Sequence, residues 1–311
     1  MRVESVGGRS MVRGVPVPRG AATKRMWTAY AFLLPAMVVY GTFVAGPILL
    51  SVYYSLFDWS GVSRTGTFVG SGNFGRLLQD SVFWRAVGNN LRLVAGSLVT
   101  QLPVALGLAL LLTRGLRGMR FFRTAYFVPH MMPTVAIGIL WIFIYDPSMG
   151  VVNDLLARLG LHGWMRGWLG DERTALWAVI ATIAWQFIPF YMILFQAALV
   201  GIPQELHEAA AIDGATGSKA FWYVTLPLLV GTIRTAVVLS LVGSLKYFDL
   251  IYIMTGGGPN HASELMATHM FKTAFNQFQM GYGSSVAVAS FLIAFVVSAL
   301  LLYVTQFRRE A

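Results

Sequence analysis

Glu208-Ala209-Ala210-Ala211-Ile212-Asp213-Gly214, followed after nine residues by Val224-Thr225-Leu226-Pro227, is a polar, helix-forming insert between two long apolar runs. Pro203 suits the first turn of a helix, where a missing N–H costs nothing. Glu205 and Glu208 fall near the positive end of the helix dipole, and Ala209 to Ala211 favour helix. Gly214 is free to take the left-handed conformation that ends one. Ser218 is placed to cap a second short helix carrying Phe221, Trp222 and Val224, and Pro227 then opens the next apolar run. The expectation is a helix–turn–helix lying across one face of a membrane. Ala209 and Ala210 are small enough for a partner surface to approach closely, and Phe221 and Trp222 are large enough to anchor in one. An amphipathic helix that touches only lipid explains the same residues, and physics alone leaves both readings open.

Outward from this insert the chain is apolar. Of its 311 residues 56% are hydrophobic and 12% charged, against roughly 25% charged in a soluble domain. A spanning helix needs about 20 mostly apolar residues, and six segments qualify: 28–50, 90–112, 122–145, 176–200, 228–252 and 285–306. The fold class expected is an all-α membrane protein of six transmembrane helices. The net charge of +10 does not point to nucleic acid, because the basic residues sit at the ends of apolar runs with no nucleic-acid motif among them. They set orientation instead, since cytoplasmic segments retain Lys and Arg. Arg2, Arg9, Arg13, Arg19, Lys24 and Arg25 precede the first span, and Arg114, Arg117, Arg120 and Arg123 join the second and third. Arg308 and Arg309 end the chain. Both termini are therefore expected inside, with 58–89, 146–175 and 253–284 as mixed outer loops. The division expected is a disordered basic tail (1–25), a first helix with its outer loop (26–87), a five-helix core (88–306) containing the insert (201–227), and a short C-terminal segment (307–311). A cleaved signal peptide is set aside because the first apolar run is too long for one. With no cysteine, disulfides, zinc thiolates and cysteine nucleophiles are excluded.

The pattern Glu208-Ala209-Ala210, three residues, Gly214, nine residues, Val224-Thr225-Leu226-Pro227 resembles the cytoplasmic loop of ABC importer permeases, with Val224 where that pattern has Ile. Phe68-Val69-Gly70, Asn73-Phe74, Phe83-Trp84 and Phe248-Asp249 leading into Met254-Thr255-Gly256-Gly257-Gly258-Pro259 extend the likeness to sugar-type permeases. The resemblance implies a type I importer permease of the maltose or glycerol-phosphate kind. It implies that Glu208, Ala209, Ala210, Gly214, Val224, Leu226 and Pro227 couple to a separate ATPase. It also implies three kinds of partner besides lipid: a second permease, an ATPase dimer and an extracytoplasmic solute-binding protein. ATP and Mg are expected on the ATPase, and no cofactor on this chain.

Charges inside a span are costly and mark functional candidates. Lys246 and Asp249 are spaced to pair on one helix face, with Tyr247 and Phe248 between them. Sugars offer hydroxyls to carboxylates and apolar faces to rings, so these four and Tyr191 are candidates for the pathway, with a structural salt bridge as the ordinary explanation. Pro129 and Pro133 are read as sharing one interrupted helix, and His130 between them is given no role. Gly70-Ser71-Gly72-Asn73-Phe74-Gly75 has dinucleotide-loop spacing but neither the strand nor the βαβ context it needs. Gly214 to Lys219 lacks the Gly-Lys-Ser/Thr ending of a phosphate loop, and His207-Glu208 lacks the second His of a zinc helix. The competing function class is a stand-alone ion-coupled carrier using Lys246 and Asp249 as its relay.

Overall fold

The computed structural model describes residues 19–113 and 119–307. Arg114, Arg117, Arg308 and Arg309 and the tail before Arg19 lie outside the described residues. Helix α1 (Arg19–Tyr40) begins within the segment expected as tail. A π-helical turn (Gly41–Ala45) joins it to α2 (Gly46–Tyr54). The turn precedes Pro47, which has no N–H to return to the carbonyl of Phe43, and Gly46 N–H instead reaches back to Gly41 O. The chain divides into two units, Met1–Leu50 and Ser51–Ala311.

In the second unit a two-stranded antiparallel hairpin, β1 (Phe57–Asp58) and β2 (Thr67–Phe68), leads into α3 (Gly72–Gln79) and α4 (Ser81–Leu112). Then come α5 (Met119–Met131), α6 (Thr134–Ile144), α7 (Val151–Arg158) and α8 (Ala175–Val200). The insert supplies α9 (Gln204–Ile212) and α10 (Ser218–Ala220), after which follow α11 (Leu226–Leu245), α12 (Asp249–Met254), α13 (Met266–Phe271) and α14 (Met280–Phe307). Among the described residues, five helical segments are long and apolar enough to cross a membrane, and the α5–α6 pair makes up to six.

Two expected spans are broken. The third bends by 104° between α5 and α6. Pro133 caps α6 in an extended conformation and pushes the preceding residue out of helical space, so Pro129 and Pro133 do not share one helix. The fifth span ends at Leu245, seven residues before the expected Tyr252. The chain restarts at Asp249, whose carboxylate occupies the first turn of α12, where the helix dipole favours it. Lys246 and Asp249 therefore do not lie on one helix face, and no salt bridge joins them among the described residues.

Helix α4 is the central post. Its residues enter all three apolar clusters: Leu93 packs with α6, α8 and α12, Phe83 and Val94 with α11, α13 and α14, and Leu102, Ala105 and Ala109 with α8 and α11. Small residues permit the closest approaches, as membrane helix packing requires. A Cβ on Gly96 of α4 would come 2.9 Å from Ile180 Cγ2 of α8, and one on Gly138 of α6 would come 2.6 Å from Ile253 Cγ2 of α12.

The end of α4 that starts at Ser81 is stapled by polar side chains. Asp80 caps the helix, accepting from the N–H groups of Val82 at 2.8 Å and Phe83 at 3.2 Å. Asn89 Nδ2 donates to Ala262 O at 3.0 Å and Glu264 O at 2.9 Å. Asn90 Nδ2 donates to Ser244 O at 3.1 Å, and Asn90 Oδ1 accepts from Met266 N–H at 2.9 Å. Asn73 Nδ2 holds the hairpin through Ser55 O and Phe57 O, both at 2.9 Å. Much of the segment expected as a mixed outer loop, 253–284, is thus built into the core: Glu264, Leu265 and Met266 are buried.

Candidate functional site

Two features stand out, the polar insert and a cavity between the spans. In the insert Pro203 is extended and caps α9. Gln204 Nε2 donates to Glu208 Oε1 at 2.9 Å on the exposed face, so Glu208 is held toward solvent. Gly214 has φ +78°, and beside it Gly214 N–H returns to Ala211 O and Ala215 N–H to Ala210 O at 2.8 Å. This closes the carbonyls of α9 as a left-handed cap does. Gly217, also at positive φ, rather than Ser218, precedes α10 as its cap.

No second independent helix follows. From Ser218 the chain runs without interruption through a π-helical turn (Phe221–Thr225) into α11, a 28-residue helix ending at Leu245. The π turn has the same cause as the first: Pro227 offers no N–H to Tyr223 O, and Leu226 N–H reaches back to Phe221 O. The expected helix–turn–helix is therefore one short helix hinged onto the foot of a span. Glu208, Ala209, Gly214 and Pro227 are exposed, Val224 and Leu226 are half-buried, and Ala210 is buried. Ala210 does not offer the open small-residue face expected of it. Adjacent helix positions point about 100° apart, and Ala210 is on the side that packs inward. The exposed apolar residues here are Leu206, Ile212, Trp222 and Tyr223.

The cavity, about 330 Å³, is lined by Gln101 of α4, His130 of α5, Ile183, Phe187, Phe190 and Tyr191 of α8, and Leu239, Ser240, Gly243 and Ser244 of α11, with Tyr247 just beyond. Aromatic walls with a few converging polar groups are the ordinary make-up of a small-molecule site. Ser240 Oγ reaches Gln101 Oε1 at 3.4 Å, and the Tyr247 hydroxyl makes a long 3.5 Å contact with Gln186 Oε1. His130 Nδ1 lies 3.2 Å from Gln186 O. A carbonyl only accepts, so Nδ1 carries the proton, and a neutral ring keeps Nε2 as an acceptor. The ring is wedged among Phe127, Phe187 and Phe190 at centroid distances of 5.4–5.5 Å.

Of the five pathway candidates, Tyr191 and Tyr247 line this cavity. Lys246 lines a separate groove between α11 and α14. Phe248 stacks on Tyr252 and packs against Phe271, and Asp249 is exposed. Trp141, Tyr145 and Trp185 form a packed ring cluster. Sequence reasoning passed over Gln101, His130, Phe187, Ser240 and Ser244. One signal was present: Ser240 and Ser244, four apart in an apolar run, face one side of a helix.

The Gly256-Gly257-Gly258-Pro259 turn is a fixed structure. Ser263 Oγ donates to Gly258 O at 2.6 Å, and Thr255 and Ser263 hydroxyls meet at 2.8 Å. Gly257 has φ +82°, and a Cβ there would come 2.6 Å from the Glu264 carboxylate. That buried carboxylate receives Lys272 Nζ at 2.6 Å and His261 Nδ1 at 2.9 Å. Burial raises its pKa, but the hydrogen bonds from Lys272 and His261 and the charge of Lys272 outweigh burial and leave it lowered.

Residues 101–310 match the family described as "Binding-protein-dependent transport system inner membrane component". The chain is 39% identical over 271 residues to the probable ABC transporter permease protein YurN of Bacillus subtilis, covering 86% of this chain and 92% of that one. It is 32% identical over 312 residues to the diacetylchitobiose uptake system permease protein NgcF of Streptomyces coelicolor, covering 94% and 88%. In fold it is similar to a chain in the crystal structure of a bacterial ABC transporter that imports the acidic polysaccharide alginate, with TM-score 0.79, 24% identity, and 92% and 98% coverage.

Proposed function

From the premise that this chain belongs to the family of binding-protein-dependent transport system inner membrane components, we propose that it is one permease subunit of an ATP-driven carbohydrate importer. One observation carries the reading. The 28-residue helix Ser218–Leu245 begins at the hinge of the polar insert and ends in the wall of the cavity. At 1.5 Å per residue it spans roughly 42 Å, and α-helices resist bending. A displacement of the foot of this helix, to which α9 is joined through Gly214–Gly217, therefore reaches Ser240, Gly243 and Ser244 as motion of one body.

The mechanism is alternating access. An ATPase dimer grips α9 through its exposed face, with Glu208 and Ala209 in contact and Gly214 and Gly217 as the hinge. ATP binding favours one arrangement of the spans by its differential affinity for the two states. A second permease completes the pathway, and an extracytoplasmic solute-binding protein delivers the solute at the opposite face. Both termini and the insert lie on the cytoplasmic side, the orientation that basic residues at 2–25 and 114–123 support. ATP and Mg belong to the ATPase. The relative named for diacetylchitobiose uptake and the cavity's rings and amide and hydroxyl groups support a carbohydrate, whose CH faces lie on Phe187, Phe190, Tyr191 and Tyr247. Gln101, Ser240 and Ser244 meet its hydroxyls.

The test is a pair of substitutions at the hinge, measured in the transporter reconstituted with its ATPase and binding protein. Gly214→Pro forces φ to about −65° and is expected to abolish ATP-dependent uptake while the chain still inserts. Gly214→Asn, which tolerates left-handed backbone, is expected to retain most uptake. Uptake by the Pro variant at the unmodified rate would rule out the coupling role.

A further inference from the structure

The segment between α6 and α8 carries an exposed apolar surface outside both the cavity and the polar insert. Asp146 closes the end of α6, its Oδ1 accepting from Ser148 N–H and Met149 N–H, both at 2.8 Å. Gly150 then turns so tightly that a Cβ would overlap Asp146 O and come 2.6 Å from Ile144 O. Helix α7 therefore starts at the depth where the apolar run of α6 ends. Its buried Asn153 ties it down again: Nδ2 donates to Pro147 O at 3.1 Å and Arg166 O at 3.0 Å, and Oδ1 accepts from Trp168 Nε1 at 2.9 Å. Thr174 Oγ1 donates to Trp168 O at 2.8 Å where α8 begins. The segment is pinned across the ends of two spans and cannot rise far into water.

At 100° per residue α7 has three faces. Val152, Asn153 and Leu156 turn toward the protein and are buried or half-buried. Val151 and Leu155, continued by Leu159 at the C-cap, form an exposed apolar edge. Asp154 and Arg158, paired at 2.9 Å, form an exposed charged edge beside it. Met149 and Trp164, which flank α7 in the chain, are exposed as well, at 86% and 67%. An apolar edge against a charged edge is the pattern of a helix resting in a bilayer interface, and tryptophan is enriched at that depth. A protein arriving from the aqueous side would meet the Asp154–Arg158 edge first, not the leucines.

We infer that α7 with the turn to Trp164 is an interfacial anchor, its Val151–Leu155–Leu159 edge seated among phospholipid at the boundary of acyl chains and headgroups. The placement requires only that the broken α5–α6 span and α8 cross the membrane; the orientation proposed above decides which leaflet it enters.

The chain has no cysteine, so a single cysteine introduced into it is the one labelling site when the partner subunits are made cysteine-free. Leu155→Cys, Leu159→Cys and Arg158→Cys are each labelled with an environment-sensitive fluorophore in the complete transporter in phosphatidylcholine nanodiscs. The expected result is severalfold stronger quenching at 155 and 159 by lipid bearing a nitroxide near the glycerol than by soluble iodide, with the preference reversed at 158. Iodide dominating at 155, or shielding of 155 from both quenchers as under a protein neighbour, overturns the inference. If a label disturbs α7, Trp164→Phe gives a second readout. The fluorescence lost in that variant is expected to be more strongly quenched by lipid brominated near the glycerol than the remainder, so the variant is quenched by a smaller fraction; equal fractional quenching of both proteins overturns the inference.

Discussion

Asn90 is 1% exposed and uses both ends of its amide, donating to Ser244 O and accepting from Met266 N–H. These bonds tie the second span to the end of the fifth and to the start of α13. Asn90→Leu keeps the volume roughly constant but takes the partner from the buried Met266 N–H, at about 1–3 kcal/mol, and leaves Ser244 O only backbone N–H contacts such as the long 3.4 Å one from Tyr247. The thermal midpoint of the purified transporter is expected to fall by several degrees, whereas Arg64→Ala, at an exposed loop position, leaves it unchanged. Neither role of Asn90 is legible in the sequence, because its partners lie more than 150 positions away. Gly214 is the opposite case. Its left-handed cap follows from local rules alone, and the structure has it at φ +78°.

At the scale of elements the apolar runs are legible because a spanning helix announces itself by length and composition. Where a run breaks is less so. Pro133 signalled the bend between α5 and α6, yet Pro is tolerated inside other spans here, Pro103 in α4 and Pro189 in α8. Only tertiary packing decides which proline bends and which breaks. The same limit hid the end of α11 at Leu245 and with it the separation of Lys246 from Asp249. Acid stability belongs to this scale. Asp80 caps α4 and also accepts from Tyr282 OH at 2.5 Å and from His269 Nε2 at 3.0 Å, joining α4, α13 and α14. Burial raises its pKa, but the bonds from Tyr282 and the backbone and the charge of His269 together leave it lowered. Glu264 is lowered too. Carboxylates depressed in the folded state contribute stability that is complete above their unfolded values and is lost as pH falls through the folded ones. The thermal midpoint is therefore expected to hold near neutrality and drop below about pH 4. In Glu264→Gln, which cannot titrate, that acid-side drop is expected to be smaller.

For the whole molecule, the candidate site was half legible. The insert was found by helix signals and its resemblance, while the cavity was found only where Tyr191 and Tyr247 turned inward. Gln101, His130 and the Ser240–Ser244 pair come from three helices far apart in sequence, and no local rule gathers the three. If the cavity holds carbohydrate, Gln101→Leu with Ser244→Ala removes hydrogen-bonding groups while preserving the aromatic walls. Uptake is expected to fall by an order of magnitude or more, since a buried sugar hydroxyl left unpaired costs about 1–3 kcal/mol. ATPase activity stimulated by the liganded binding protein is expected to persist, which separates a cavity defect from a coupling defect. The most direct test of the account is uptake into proteoliposomes containing this chain, its second permease and the ATPase, with binding protein and radiolabelled sugar on the outer side. The account predicts accumulation that requires ATP on the side of the insert and is indifferent to proton or sodium gradients. Accumulation driven by an ion gradient with the ATPase omitted would contradict it.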